Sequence, residues 1–480
     1  MRRSRILLFA LVWTLALALM AAGCSPARLP QEPDRSAPSS ASRELSSRAS
    51  QPAGGTASSS EAAHLSPQDT QSPLDAVGTS APETVSGSAP ALQSQSDSRD
   101  VSQLPEGSKV EQTGEMRAVW ISYYELDGRG KNQSQFTAMA GDMFDRVKAM
   151  GLNTVVVHVR ANSDAFYPSS YFPWSEYAAG AQGRGPGYDP LSILIEAAHA
   201  RGLALHAWLN PYRVSNKTGN VQELAENNPA RVYLTDSDPS NDDWAISWEN
   251  GIYYNPGVVQ VQKLILDGVR ELLDNYQVDG IHFDDYFYPT TDPAFDQKAY
   301  SAYSEKAGGG VLSLGDWRRA NVNGLMQAVY RLCDGRGVPF GISPSAHISS
   351  DGSDKNYREL YADVALWMRS GGYAHYITPQ LYFGFDYPKA DYRFDVLLQK
   401  WLSLQRAGDV RLYVGLPPYK IGTEDAGSAE WQEKNDVLGR QLTLLRQQKA
   451  DGFMLYSYGS IVSTAELNQA QMQSFLDVLG

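Results

Sequence analysis

Two adjacent aspartates, Asp284 and Asp285, lie in the segment VDGIHFDDYFYP (278–289) and are the sharpest chemical signal in the sequence. Cleavage of a glycosidic bond needs two carboxyl groups, one to protonate the leaving oxygen and one to stabilise or attack an oxocarbenium-like centre. We therefore predict that at least one of the two aspartates is catalytic. The alternative is that one of them caps the following loop or pairs with an arginine such as Arg160.

The alternation within this segment predicts a β-strand. If Ile281 and Phe283 face a hydrophobic layer, His282 and Asp284 face the opposite side, and Asp284 lies where the strand ends. Asp285 is then expected to point away, unless the strand has already become a loop. The pattern favours Asp284 as the residue that reaches a substrate.

The second carboxyl group is predicted less directly. Asp164 is preferred because it follows another predicted strand end, whereas Glu125 follows the first strand and Glu176 lies in the aromatic loop around Trp174. The distance between two carboxyl groups decides between retention and inversion, and the sequence does not give it. Retaining, inverting and N-acetyl-assisted mechanisms therefore all stay open.

Eight short β-type runs alternate with amphipathic helical segments through residues 115–480, which predicts a (β/α)₈ TIM barrel of the α/β class. A doubly wound sheet is the alternative, but no glycine-rich phosphate loop follows the first run. The eight runs cover residues 116–124, 153–161, 203–210, 278–285, 338–345, 376–383, 411–417 and 452–458.

Polar and aromatic residues follow the ends of these runs, where TIM barrels carry their active sites. Aromatic rings suit the apolar faces of sugars, and polar side chains suit their hydroxyl groups. The connections 211–277 and 286–337 are expected to wall a cleft. The predicted substrate-binding residues are Arg160, Asn162, Tyr167, Trp174, His206, Trp208, Asn210, Tyr212, Arg213, His282, Tyr286, Tyr288, Gln380, Tyr382 and Tyr419.

Three strand-end histidines, His158, His206 and His282, permit a metal site of the amidohydrolase or deacetylase kind. The sequence has no HxH pair on its first strand and no HExxH motif, so hydrogen bonding is the simpler role for each ring. We predict no metal and no other cofactor, and keep a metal-dependent deacetylase as an alternative function.

Several segments resemble the glycosyl-hydrolase-like family ten, the YddW-type lipoproteins, across 116–460. Those segments are MRAVWISY, FYPSSYFPWSEYAAG, GYDPL, LALHAWLNPYRV, VDGIHFDDYFYP, FGISPS, YITPQLYF and LYVGLPPYKIG. The resemblance implies a TIM barrel, an envelope location and hydrolysis of glycan strands, with peptidoglycan as the usual substrate class. It also implies that Asp284 and Asp285 are the acidic pair of strand four, and that Arg160, Asp164, Trp208, Asn210, Tyr212 and Gln380 line the cleft. A non-catalytic carbohydrate-binding lipoprotein is the other alternative.

The N-terminus predicts export and lipid anchoring. Residues 1–23 combine three arginines with an apolar run and small residues before Cys24, which is typical of a signal peptide followed by a lipidated cysteine. Residues 24–114 are rich in Ser, Ala and Pro, so we expect a disordered tether. We place the mature protein on the extracytoplasmic face of the cell membrane.

The remaining composition limits the partners. The net charge is -13, which disfavours nucleic acid and suits a neutral polysaccharide. Cys333 is the only cysteine besides Cys24, so no disulfide framework is expected, and Cys333 itself is predicted to be a buried apolar residue.

Overall fold

A computed structural model describes residues 114–349 and 351–480. The predicted signal peptide, Cys24 and all of the predicted tether except Gly114 lie outside the described residues. Within the described ranges, no helix is long and apolar enough to cross a membrane.

Eight parallel strands close into a barrel, which confirms the predicted (β/α)₈ fold. The chain order runs around the barrel, and the first strand closes it by pairing with the last, Met116 opposite Gly452. The strand that the sequence predicts as the fourth of the barrel is Gly280–Phe283, which is β7 because three short strands precede it in a connection. The barrel strands are β1 (Met116–Ile121), β2 (Thr154–Arg160), β3 (Ala204–Leu209), β7 (Gly280–Phe283), β8 (Phe340–Ile342), β9 (Tyr376–Ile377), β10 (Arg411–Leu416) and β11 (Gly452–Tyr456).

A small antiparallel sheet lies in the connection between β3 and the next long helix. Its order is β4 (Arg213–Ser215), β6 (Gly251–Tyr254) and β5 (Ala245–Trp248). The sequence predicts only a long connection in this region. The sheet fixes Arg213 as the first residue of β4.

Helices follow the barrel strands, and most of them bury apolar residues, although Gln297–Ala307 buries none. Helix α1, for example, begins after Asn132, whose side chain accepts a hydrogen bond from the backbone N–H of Gln135 in a capping box. The helices are α1 (Gln133–Ala149), α2 (Glu176–Ala179), α3 (Pro190–His199), α4 (Pro229–Thr235), α5 (Val259–Asn275), α6 (Gln297–Ala307), α7 (Leu314–Asp334), α8 (Lys355–Arg358), α9 (Val364–Arg369), α10 (Phe394–Ser403), α11 (Glu430–Glu433), α12 (Val437–Gln447), α13 (Tyr458–Ile461) and α14 (Glu466–Leu479). Short 3₁₀ turns cover Val221–Glu223, Gly308–Gly310, Ala390–Tyr392 and Pro418–Lys420.

The core has two parts, one between the sheet and the helices and one inside the barrel. The inner part contains large aromatic side chains, and glycines on neighbouring strands leave room for them. A Cβ at Gly341 would lie 1.9 Å from the ring of Tyr376, and one at Gly280 would lie 2.5 Å from the ring of His206. The buried inner residues are Met116, Ala118, Trp120, Val156, Trp208, Tyr376 and Met454.

A register shift at the end of β2 changes the face on which Arg160 lies. His158 pairs with Trp208, but Arg160 pairs with Leu209, so one extra residue is inserted between them. Leu209 belongs to the outer core, and laterally paired residues share a face. Arg160 therefore lies on the outer face, where its guanidinium carbon is 4.6 Å from the ring centre of Phe172.

Candidate functional site

Asp284 lies directly after β7, at the carboxyl end of the barrel, and its side chain is held by two donors. Its Oδ1 accepts hydrogen bonds from the Gln380 side-chain Nε2 at 3.0 Å and from the backbone N–H of Asp285 at 2.9 Å. Only 7% of Asp284 is exposed. The carboxyl group is thus fixed at the mouth.

Gln380 reaches Asp284 from the segment after β9. Its Nε2 donates a second hydrogen bond, also 3.0 Å long, to the carbonyl oxygen of Ser343. Its backbone N–H donates to the carbonyl of Pro344, and it forms β-bridges with Ser345 on one side and Gly415 on the other. Neighbouring barrel strands therefore fix both ends of this side chain.

Arg213 contacts the loop that follows β7. Its Nε donates to the carbonyl of Ala161 at 3.1 Å, and its guanidinium carbon lies 4.7 Å from the ring centre of Tyr286. Arg213 is buried, whereas Asp285 and Tyr286 are half-buried. The contact joins the connection after β3 to the connection after β7.

Three tyrosines, Tyr382, Tyr419 and Tyr456, form an aromatic rim at the same end of the barrel. The rings of Tyr382 and Tyr456 are stacked 5.9 Å apart, and Tyr419 meets both edge-on at 5.6 and 5.8 Å. Burial raises the pKa of Tyr382 well above its usual value, and Tyr419, Asp284 and Asp285 add to that effect. Tyr382 is therefore a neutral phenol beside the two aspartates.

His282 and His206 lie inside the barrel in a hydrogen-bonded chain below the mouth. The indole N–H of Trp120 donates to Nε2 of His282 at 3.2 Å, so Nδ1 of a neutral His282 carries the proton. That Nδ1 lies 3.1 Å from the hydroxyl of Tyr376, which in turn lies 2.9 Å from Nδ1 of His206. Burial lowers the pKa of His282 well below its usual value and that of His206 to about 4.

His158 and Trp208 form a second buried pair inside the barrel. The histidine ring stacks on the indole, and neither histidine nitrogen has a hydrogen-bond partner in the described part of the chain. The indole N–H of Trp208 is likewise unpartnered there. Within the described residues, no three His, Cys, Asp or Glu side chains meet in a way that could hold a metal ion.

Asp164 is 3% exposed and is held by its own loop after β2. Burial raises its pKa to about 6, against hydrogen bonds from the Ser175 side chain, the Asn162 backbone and the Gln182 side chain. Asp164 therefore keeps its proton up to nearly neutral pH, which is a property of a general acid.

The structure places a further group of predicted residues in buried layers around the barrel. Asn210 donates to the carbonyl of Ala161 at 2.9 Å, and Arg160 donates to the carbonyl of Asn210 at 3.3 Å. Tyr288 meets Tyr361 edge-on at 5.0 Å beside the buried guanidinium of Arg318. Tyr167 and Tyr212 are buried, and Asn162 and Trp174 are half-buried, with Trp174 bridged to Ala165.

The two other carboxyl groups make structural contacts. Glu125 accepts hydrogen bonds from the backbone of Ser122 at 2.7 Å and from the Ser457 hydroxyl at 2.8 Å, which ties the loop after β1 to the loop after β11. Glu176 forms an ion pair with Lys217 on the surface.

Sequence reasoning missed Tyr376 and the place of Tyr456 in the rim. In the run YITPQLYF, Tyr376 is an even number of residues from Gln380 and Tyr382, so in an extended strand all three face the same side. This spacing could have placed Tyr376 inside the barrel, below those two residues. Tyr456 was only one of many polar strand ends in the sequence.

Comparison with known proteins then decides the family. A family model described as glycosyl hydrolase-like 10 matches residues 115–433. The chain belongs to the glycosyl hydrolase-like 10 family. This confirms the resemblance seen in the sequence, and together with the relatives below it confirms the predicted enzyme class, a glycoside hydrolase.

Curated relatives within the family span most of this chain. Glycosyl hydrolase YngK of Bacillus subtilis (strain 168) is 36% identical over 363 residues, which is 72% of this chain and 68% of that protein. Glycosyl hydrolase DigH of Escherichia coli (strain K12) is 35% identical over 380 residues, which is 71% of this chain and 83% of that protein.

Solved structures show more distant likeness. The glycoside hydrolase domain of PgaB (BpsB) from Bordetella bronchiseptica has a TM-score of 0.48 at 13% identity and covers 76% of this chain and 99% of its own. The catalytic domain of β-amylase from Paenibacillus polymyxa has a TM-score of 0.49 at 13% identity, with the same coverage of both chains.

Proposed function

We propose that this glycoside hydrolase cleaves a glycan of the bacterial envelope, with peptidoglycan glycan strands as the substrate, and that Asp284 carries the chemistry. The observation that supports this most directly is the placement of Asp284 at the mouth, where Gln380 and the Asp285 amide hold one of its oxygens. Active sites of such barrels lie at this end.

Asp164 is our proposal for the carboxyl group that donates the proton. A general acid works best when its pKa lies near the working pH, and burial brings the pKa of Asp164 to about 6. Asp285 is the alternative acid, since it follows Asp284 directly and its charge also acts on Tyr382.

The aromatic rim is the proposed sugar-binding surface. Sugar rings pack their C–H faces against aromatic side chains, and Tyr419 is 37% exposed while it contacts Tyr382 and Tyr456. We further propose that the chain is exported and held at the outer face of the cell membrane by acyl groups on Cys24, on the sequence evidence alone.

The test is incubation of the purified mature chain with peptidoglycan, with and without its stem peptides, followed by reducing-end assay and mass analysis of the products. The proposal expects new reducing ends and shorter glycan fragments. Release of acetate without reducing ends, abolished by a chelator, would instead indicate the metal-dependent deacetylase. Binding without any product would indicate a carbohydrate-binding protein.

A further inference from the structure

The side-chain amide of Gln380 can be oriented in only one way. Its Nε2 lies 3.0 Å from Oδ1 of Asp284 and 3.0 Å from the carbonyl oxygen of Ser343. Both partners accept hydrogen bonds, so both amide hydrogens must point at them and a flipped amide would place oxygen against oxygen. The amide oxygen, Oε1, therefore faces away from Asp284 and Ser343.

In the part of the chain that the structure describes, no protein group donates to Oε1 of Gln380. Among the described residues, the side-chain hydrogen bonds of Gln380 are the two made by Nε2, and Oε1 is not one of the buried unpartnered atoms. It is thus an acceptor open to solvent beside the carboxyl group of Asp284. A bound sugar can reach it.

The backbone beneath this side chain is rigid. Gln380 bridges Ser345 and Gly415 and donates its N–H to Pro344, so neighbouring strands hold it from two sides. A side chain on such a support keeps its partner in place without reorganisation. An N–H donor on a carboxyl oxygen stabilises the carboxylate more than the neutral acid.

We propose that Gln380 is the positioning residue that orients the Asp284 carboxyl group, and that its Oε1 selects a sugar with a hydrogen-bond donor next to the cleaved bond. The proposal rests on the function proposed above. The donor is a hydroxyl group or an acetamido N–H. A sugar that bears an ether or ester there would leave Oε1 unpaired, which weakens binding.

Three variants test the proposal. Gln380→Met removes both donors and the acceptor, whereas Gln380→Glu keeps the shape and replaces the donor by a carboxylate. Gln441→Met is the control, because Gln441 is a buried glutamine whose Nε2 likewise donates to a carbonyl oxygen, that of Phe383 at 2.9 Å. Its side chain bonds to no carboxylate among the described residues, so the Gln441→Met substitution should affect only stability.

The first measurement needs no substrate. Carboxyl ¹³C NMR of the full chain follows the titration of Asp284, which is assigned by its absence in Asp284→Asn. We expect Asp284 to titrate roughly one pH unit higher in Gln380→Met than in the wild type, since it loses a charge-assisted hydrogen bond. Gln441→Met should leave the titration unchanged. An unchanged titration in Gln380→Met would overturn the proposal, whatever the substrate is.

The second measurement is the pH–rate profile on glycan strands freed of peptides. Gln380→Met should lower kcat about ten- to a hundredfold and move the acidic limb upward by a similar pH interval. Gln380→Glu should recover part of the rate at low pH, where the introduced carboxyl group is protonated and can donate. If both variants are less stable but the acidic limb of the pH–rate profile lies at the wild-type pH, Gln380 has only a structural role. If the wild type does not cleave these strands, the proposed substrate fails, but the NMR result still decides the role of Gln380.

Discussion

The imidazole of His158 lies flat against the indole of Trp208, with ring centroids 3.6 Å apart and planes 9° from parallel. Both side chains are buried inside the barrel. Burial, followed by the nearby charge of Arg213, lowers the pKa of His158 well below its usual value. The interior of the barrel therefore holds neutral histidines, and this has consequences for its stability.

The first prediction is sensitivity to acid. The pKa of His206 falls from 6.5 to about 4 on folding, and those of His158 and His282 also fall, so the unfolded chain binds protons that the folded chain excludes. The free energy of unfolding should therefore decrease as the pH falls from about 6.5 to 4, by about 1.4 kcal/mol per pH unit for each histidine. Urea unfolding across this range measures the slope. A constant free energy of unfolding would contradict the neutral state of these rings.

Asp164 contributes in the opposite direction, because its raised pKa makes the folded state more stable as the pH falls. The variant Asp164→Asn tests both this pKa and the proposed role as the general acid. Between pH 3.8 and about 6 the folded chain keeps a proton on Asp164 that the unfolded chain has released. Asp164→Asn should therefore lose stability on acidification more steeply than the wild type, by about 1.4 kcal/mol per pH unit. If the free energy of unfolding falls with equal slope in the wild type and in Asp164→Asn, the pKa of Asp164 is not raised. If Asp164 is the acid, turnover should also fall at least about a hundredfold. Full turnover would transfer that role to Asp285.

Removal of one hydroxyl group should expose the dependence of the inner core on Tyr376. Tyr376→Phe leaves the facing nitrogens of His206 and His282 without their partner, which should lower the free energy of unfolding by about 2 to 4 kcal/mol. Tyr413→Phe is the control, since Tyr413 packs against Tyr376 at 5.1 Å and its hydroxyl makes no hydrogen bond to another described residue. Equal effects of the two variants in denaturant titrations would refute the hydrogen-bonded chain.

The aromatic rim makes a prediction about binding. Tyr419→Ala should raise KM for glycan several-fold with little change in thermal midpoint, because the ring is exposed and packs at the rim. Tyr171→Ala is a matched control, since Tyr171 is 38% exposed in the loop after β2. A KM for Tyr419→Ala equal to that of the wild type would remove the rim from the binding surface.

The sequence predicts the barrel well because each strand carries a strong local pattern. Ile281 and Phe283 do pack in the outer core, and His282 lies inside the barrel, as simple alternation requires. Alternation fails at Arg160, because the register shift after His158 depends on pairing with β3, a non-local contact.

The sequence predicts more site residues than the structure brings together around Asp284. Asp284, Gln380, Tyr382 and Tyr419 come together through direct contacts or shared neighbours, whereas Tyr288 is buried in the outer core beside Arg318. A polar residue at a strand end can face the mouth, the barrel interior or a helix, and loop packing decides which. The chain of contacts through Tyr376 spans strands far apart in sequence, so no local pattern specifies it.

The predicted anchor can be tested in cells. Cys24 should incorporate radiolabelled fatty acid and carry the protein into the membrane fraction, because acyl chains contribute about 0.8 kcal/mol for each buried CH₂ group. Cys24→Ala should abolish both the label and the membrane association. Persistent label in that variant would exclude Cys24 as the acylated residue.

Asp284→Asn is the most direct test of the account. The change is nearly isosteric, and it removes the negative charge that we assign to the reaction while leaving an oxygen for Gln380 and the Asp285 amide to bind. Reducing-end release from peptide-free glycan strands should fall by about a thousandfold, with glycan affinity and thermal midpoint nearly unchanged. Asp285→Asn, measured beside it, should have the milder effect on rate. Wild-type rates in the Asp284→Asn protein would contradict the account and move the chemistry away from the end of β7.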